Sequence, residues 1–333
     1  PGSADYGGCL LISAFIVNFA TMEEIIPKID RDLILAELTD ERLLRHTNKA
    51  HNRLYVVDAY TAPNTMREIG RLREIAFRAA GGGTGKSCDI DEYDLMQPPC
   101  RQLIVWDPDH LEIAGGYRFI LGQDVVVSDG VPRIATAHMF DFSERFLSEI
   151  LPGTIELGRS FVATDYQASG KGQKALYVLD NLWDGLGALT VIYPQIHYLF
   201  GKVTMYPSFG QHERDLILCF LKKHFPDPDH LVTPRNPLRC GADMPEVRGV
   251  FSGADFREDY KILHSLIRQS NKNIPPLVNA YMSLSPTMRM FGTAINDEFG
   301  NVEETGIFFK ISDIFEEKKR RHIGTYTPSS ISG

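Results

Sequence analysis

Residues Thr154–Gly172 read TIELGRSFVATDYQASGKG. The opening half predicts a strand over Thr154–Thr164 that carries Glu156 and Arg159. It runs straight into a glycine turn, Gln167-x-x-Gly170-x-Gly172, and an apolar, helix-capable run follows from Gln173 to Tyr193. A strand feeding a glycine loop that opens a helix suits an anion held by backbone N–H groups at a helix N-terminus. Glu156 on that strand places a proton acceptor close to whatever carries the anion.

Working outward, Arg53–Tyr60, Arg101–Trp106 and Ile113–Leu121 read as strands, the last two joined by the turn Asp107-Pro108-Asp109. Asn64 is placed to cap a helix reaching Ala80, with Ile69, Leu72 and Ala76 at three-to-four spacing. Residues 81–100 read as a polar, glycine-containing loop. A short helix is expected over Phe142–Leu151, a strand over Leu199–Met205 and a helix over Glu213–His224. Pro226–Gly253 reads as a long Pro- and Gly-rich excursion, and Phe256–Gln269 as an amphipathic helix on Phe256, Tyr260, Leu263 and Ile267. Strand-capable pieces recur over 274–316, notably Gly306–Ile311. This order predicts an α/β (α+β) fold: a mixed sheet with helices on both faces.

The 333 residues are 43% hydrophobic and 23% charged, enough to bury a large core. A net charge of −8 argues against a general nucleic-acid binder. The five cysteines (Cys9, Cys88, Cys100, Cys219, Cys240) are odd in number and form no C-x-x-C pair, which reads as free thiols in a reducing compartment. The apolar run Cys9–Phe19 is too short for a membrane span and has no basic residue before it. Residues 1–21 therefore read as a non-native or upstream segment, with Met22 as the natural start.

Ala80–Ser87, AGGGTGKS, imitates a phosphate-binding loop, but that mechanism needs a strand before the loop and a helix after it. A helix precedes this one, so the reading is rejected in favour of a flexible, substrate-covering loop. Glu156 suits a general base, since an amine attacking a thioester must lose a proton. Its bland alternative is a solvent-facing glutamate, or one paired with Arg159. Regular alternation separates Glu156 from Arg159, and a bulge at Gly158 would bring them together and expose a backbone N–H for an oxyanion. Taken together, the strand, the carboxylate and the anion loop point to acyl transfer from a phosphopantetheine thioester.

Arg118, beside Gly115 and Gly116, needs an anionic partner, either a structural or a substrate carboxylate. Asp89, Asp91, Glu92 and Asp94 read mainly as a solvated loop, and their spacing matches no EF-hand. No metal is expected. The basic run Lys318–His322 reads as a solvated helix end, with contact to an acidic carrier protein or anionic lipid as the alternative.

The glycine loop resembles the acyl-CoA motif of the GCN5-related N-acetyltransferase (GNAT) superfamily. Asp91-Glu92-Tyr93-Asp94, Gly116-Tyr117-Arg118 and Glu156-Leu157-Gly158-Arg159-Ser160 resemble, in order, the hemolysin-like ornithine-lipid and glycine-lipid N-acyltransferases and the related acyl-homoserine-lactone synthases. The tail, Ile274-Pro275-Pro276 through Phe291–Asp297 and Glu303–Gly306, looks most like the glycine-lipid branch. The resemblance implies a GNAT-like core over residues 22–225, a C-terminal extension over 226–320 packed on it, and a tail over 321–333.

It implies transfer of a long, 3-hydroxylated acyl group from acyl carrier protein to the amine of a small amino acid such as glycine, giving a lipid precursor. Glu156 would be the base, with Arg159 and Ser160 beside it in the catalytic group. Arg118, Asp94 and Asp91 would organise the substrate. Val162, Gln167, Gly170, Lys171, Gly172 and Lys174 would hold the pantetheine phosphate, although the superfamily loop often opens with Arg and Gln167 carries no charge. The donor, acyl carrier protein or acyl-CoA, stays open; no tightly bound cofactor is implied. The implied setting is cytoplasmic, with peripheral contact at the inner membrane. Rival readings are a signal synthase using S-adenosylmethionine, a membrane-lytic protein and a non-catalytic acyl-carrier-binding module.

Overall fold

The computed structural model describes residues 22–167, 177–239, 241, 247 and 249–328. Eight strands form one sheet in the order β1 (Leu43–His46), β2 (Arg53–Val57), β3 (Arg101–Asp107), β4 (Glu112–Leu121), β8 (Thr154–Val162), β9 (Tyr198–Met205), β12 (Val302–Lys310) and β11 (Arg289–Asn296). Neighbours are antiparallel except β8 and β9, which run parallel. Two small ribbons complete the strands: β5 (Val127–Ser128) with β6 (Val131–Pro132), and β7 (Phe140–Phe142) with β10 (Val232–Pro234). The helices are α1 (Arg31–Glu37), α2 (Pro63–Ala80), α3 (Glu92–Leu95), α4 (Thr164–Gln167), α5 (Val178–Ile192), α6 (Gln211–His224), α7 (Phe256–Gln269), α8 (Pro276–Met282) and α9 (Glu316–His322). This is the mixed α/β sheet expected, and β11 and β12, far along the chain, belong to it.

Strand alternation divides the core. Leu103, Phe119, Leu157 and Leu199 face Leu182 and Leu186 of α5, Phe220 of α6 and Leu263 of α7. On the opposite face, Ile104 and Trp106 pack on Met66, Ile69 and Phe77 of α2. Further along that face, Ile120, Phe200 and Phe308 pack on Phe140 and Phe146. Gly115 lets α5 begin close to the sheet: a Cβ there would lie 2.6 Å from the Phe161 carbonyl oxygen and 2.8 Å from Val178.

Three local expectations are corrected. Helix α2 opens at Pro63 without a side-chain cap from Asn64. Glu37 of α1 instead accepts the backbone N–H groups of Asn64 and Thr65, at 2.9 and 2.7 Å, which satisfies the first-turn donors from a distance in sequence. The AGGGTGKS loop is not flexible. Buried Glu74 accepts the N–H groups of Thr84 and Gly85, at 3.1 and 2.8 Å, and is paired with Arg78. The loop's anion cradle is therefore filled by the chain's own carboxylate. The run Lys318–His322 is the end of α9, with Arg320 and Arg321 exposed as expected, but it is not solvated throughout. His322 is buried against Asp184 at 2.8 Å, and Arg321 pairs with Asp180 at 2.5 Å. Among the described residues no helix is long and apolar enough to cross a membrane.

Glu74→Ala strands those loop donors and is expected to cost about 2–4 kcal/mol, the scale for losing several charge-assisted bonds. Hydrogen–deuterium exchange should show the Thr84 and Gly85 amides losing protection along with a lowered melting temperature. Unchanged protection at both would contradict the clamp.

Candidate active site

Strands β8 and β9 pair from Thr154↔Tyr198 to Leu157↔Gly201 and then part, although β8 continues to Val162 and β9 to Met205. The cause lies in their outer neighbours. Against β4, Gly116 faces Phe161 but Arg118 faces Gly158, so β8 spends one extra residue there. Arg159 sits within this bulge at φ +48°, a left-handed conformation that a non-glycine residue adopts only under constraint. A bulge bends and twists its strand, and this one turns β8 away from β9. Meanwhile β9 follows β12 without interruption from Tyr198↔Lys310 to Met205↔Glu303.

The gap is a cavity of about 590 Å³. Leu157–Ser160 form one wall and Lys202–Tyr206 the other, and Pro275–Leu277 and Tyr281 close one end. Phe77 and Phe299 lie at the opposite face, so the cavity passes through the sheet. Its lining is mostly apolar.

Behind this cavity three guanidinium groups meet three carboxylates. Asp91 and Asp94 form a reciprocal capping box on α3, each side chain accepting the other residue's N–H. That turn fixes both carboxylates toward the sheet. Arg118, fully buried, pairs with Asp91 at 2.6 Å and Asp94 at 3.4 Å. Arg73 pairs with Asp94 at 3.3 Å, and Arg159 with Asp89 at 2.9 Å and Asp91 at 3.4 Å. Arg159 also stacks over Phe299 at 4.5 Å. The acidic segment is thus not a solvated loop: Asp89 and Asp94 are buried as counter-charges to the arginines. Burial works against ionised Asp91, but Arg118 and then Arg159 hold its carboxyl well below the usual range.

Glu156 faces the same side as Arg118, opposite Ile120 on β4 and Phe200 on β9. It is neither solvent-facing nor the partner of Arg159. Among the described residues its Oε1 is buried without a well-formed hydrogen bond, as are Thr136 Oγ1 and Arg118 Nε, although the Thr136 hydroxyl lies near enough to act on the carboxyl. Burial pushes the Glu156 carboxyl up, while Arg118, Lys202 and the nearby Thr136 hydroxyl pull it down, leaving it above the ordinary value. A carboxyl raised toward neutrality with a free lone pair has the character of a general base.

The structure therefore gathers Asp91, Asp94, Arg118, Glu156 and Arg159, and places Arg159 and Ser160 on the cavity wall. The bulge falls at Arg159 and Ser160, one position past the expected Gly158, and swings Arg159 to the Arg118 side. Val162 and Gln167 lie at the far end of β8, where Gln167 Nε2 donates to the Val162 carbonyl at 2.6 Å. Gly170, Lys171, Gly172 and Lys174 lie outside the described residues. Sequence reasoning missed Lys202, Glu304 and Tyr281 as cavity residues. The available signal for the first two was charge inside otherwise apolar strands, Lys202 in YLFGKVTM and Glu303-Glu304 in VEETGIFFK.

Residues 72–176 match the family model described as an acetyltransferase (GNAT) domain. A glycine N(alpha)-acyltransferase of Bacteroides thetaiotaomicron is 60% identical over 309 residues, 92% of each chain. One from Phocaeicola vulgatus is 58% identical over 306 residues, covering 92% of this chain and 94% of the relative. A solved CoA-dependent acyl-homoserine lactone synthase aligns at 12% identity and TM-score 0.32, over 83% of this chain and 97% of its own. The protein is an acyltransferase with a GNAT domain. More narrowly, the chain belongs to the glycine N(alpha)-acyltransferase family.

Asp91, with its depressed folded value, contributes stability above the unfolded carboxylate range near ~3.9 and loses it as pH falls through the folded value. Arg118→Met shrinks that depression and is expected to remove about 3–5 kcal/mol at neutral pH. The acid-unfolding midpoint, followed by circular dichroism, should move to higher pH. An unmoved midpoint would show that Arg118 does not hold these carboxylates.

Proposed function

We propose that this protein transfers a long, 3-hydroxylated fatty acyl group from the phosphopantetheine thioester of acyl carrier protein to the amine of glycine. The observation that carries the reading is the Glu156 carboxylate buried behind the gap between β8 and β9, its Oε1 without a well-formed hydrogen bond among the described residues. The names of the relatives support glycine as acceptor. The apolar lining of the cavity supports a long chain. The 3-hydroxyl, the choice of carrier protein over coenzyme A and peripheral contact with the inner membrane come from the sequence resemblance alone.

The thioester lies between the parted strands, where Gly158–Ser160 of the bulged β8 segment line the cavity and have no β9 partner. Glu156 takes one proton from the acceptor's ammonium, directly or through one water, leaving the neutral amine. The amine nitrogen then attacks the thioester carbonyl, the C–N bond forms, and β8 backbone donors stabilise the oxyanion. Collapse breaks the C–S bond, and the departing thiolate takes the remaining extra proton from the nitrogen, leaving the neutral amide and the free thiol. Arg118 and Arg159 act by fixing the strand geometry and the field around Glu156, since their guanidinium groups are matched by Asp89, Asp91 and Asp94. The product is an N-acyl glycine, a lipid precursor.

Incubating purified protein with glycine and either 3-hydroxyacyl carrier protein or the matching coenzyme A thioester, followed by mass spectrometry, tests the reading. N-acyl glycine should form with the carrier-protein donor at the higher kcat/KM; no acylated glycine from either donor would reject it. Glu156→Gln should lower kcat by about 10²–10⁴-fold, the usual worth of a positioned base.

The folded Glu156 carboxyl is raised, so its stabilising contribution is present below the unfolded value and lost as pH rises through the folded one. Glu156→Gln should therefore be at least as stable as the parent at neutral pH. The same raised value makes parent activity fall, as pH drops, earlier than an ordinary carboxylate would. Full turnover in the variant would remove Glu156 as the base.

A further inference from the structure

We propose that Lys202 binds the carboxylate of the incoming amino acid and so presents its amine to Glu156. This inference rests on the acylation of an amino acid proposed above and assigns the residue that recognises that acceptor.

The placement comes from register. Glu156 pairs across to Phe200, so Lys202 is the next residue on the same face of β9, one position past the last β8–β9 pair, Leu157↔Gly201. Its side chain enters the cavity where the strands part and is only 9% exposed. An α-amino acid arrives carrying both an ammonium and a carboxylate. Taking that carboxylate out of water without a counter-charge would be costly. Of the three cations on the cavity wall, Arg159 is committed to Asp89 and Asp91. Lys272 is committed to Glu213 at 3.0 Å and to the Phe209 carbonyl. Among the described residues Lys202 has one carboxylate partner, Glu304, at 2.5 Å; burial pulls its pKa down against the pull of Glu304, and in its charged form it carries three donors.

Glu304 is built to hold that lysine. Its carboxylate also accepts Thr204 Oγ1 at 2.9 Å and Asn296 Nδ2 at 3.3 Å, and Thr204 and Glu304 face each other across the β9–β12 ladder. Burial opposes the ionised form, but Lys202 and these bonds keep the Glu304 carboxyl below its ordinary value. Glu304 therefore stays charged, and its occupied lone pairs make it an anchor for Lys202 and a poor proton acceptor. Glu156 is the reverse, with Oε1 buried and without a well-formed hydrogen bond among the described residues. Beside it there is room: a Cβ built on Gly158 meets nothing closer than Arg118 Nε, at 3.9 Å. One free carboxylate and one lysine with spare donors, adjacent on one face, match the two charges of an α-amino acid.

The test compares glycine with glycinamide, which keeps the amine and lacks the carboxylate, at saturating acyl donor. The parent enzyme should show a KM for glycine at least tenfold below that for glycinamide. Lys202→Met should raise the glycine KM about 30-fold or more, the scale for losing a buried charge partner. The glycinamide KM and acyl-donor KM should stay within about twofold of the parent. Lys202→Met leaves Glu304 buried alone, so the double variant Lys202→Met with Glu304→Gln serves as the folded control, checked by thermal melting. It should show the same loss of discrimination, and Lys202→Arg should recover part of it.

Equal KM values for glycine and glycinamide in the parent would overturn this inference and leave the acylation reading standing. A parent-like glycine KM in the folded double variant would do the same. Failure of the parent to acylate either amine would overturn both.

Discussion

The site depends on one departure from regular sheet geometry: two parallel strands that pair for four residues and then diverge. Parallel β8 and β9 would otherwise zip together along their length and close the cavity. They part because each is committed elsewhere, β9 to β12 through eight consecutive pairs and β8 to β4 through a bulge. The bulge at Arg159 stores local backbone strain, and that strain is held by ion pairs to Asp89 and Asp91 and by stacking on Phe299. Packing, electrostatics and strand register therefore converge on the same few residues.

Charge balance is the second theme. Three arginines against three aspartates leave little net field at the back of the cavity, and each guanidinium is occupied by protein carboxylates. Glu156 sits next to this network without sharing its bonds. It consequently keeps a raised pKa and a free oxygen, the state a base requires. Lys202 and Glu304 form a separate pair on the far side of the gap, where β9 is laddered to β12. In the proposed reaction the two walls carry complementary functions: the β8 wall holds the base, and the β9 wall holds the cation.

Much of the framework was legible in the residues because its signals are local. Helix Phe256–Gln269 was read to both ends, since its apolar spacing at Phe256, Tyr260, Leu263 and Ile267 lies within the segment. The strands around Asp107-Pro108-Asp109 were visible for the same reason. Long-range contacts were less visible. Glu37 caps α2 across 27 residues, and Asp89 reaches Arg159 across 70, so neither the cap nor the acidic cluster could be read from its own neighbourhood. Helix α8 (Pro276–Met282) went unread because seven residues after Pro-Pro offer little periodicity. The bulge was misplaced by one residue: glycine is the usual choice for unusual backbone, yet Arg159, fixed by ion pairs, takes the left-handed position instead. Lys202 and Glu304 acquire meaning only when β12 is laid beside β9, a pairing that spans about a hundred residues of chain.

A crystal structure with a non-hydrolysable acyl-pantetheine analogue bound tests the central claim most directly. The account predicts the acyl carbonyl in the gap between Gly158–Ser160 and Lys202–Thr204. Glu156 should lie within hydrogen-bond reach of the attacking position or one water away, and the acyl chain should run along Pro275–Tyr281. An analogue bound outside the gap, with β8 and β9 closed against each other, would contradict it.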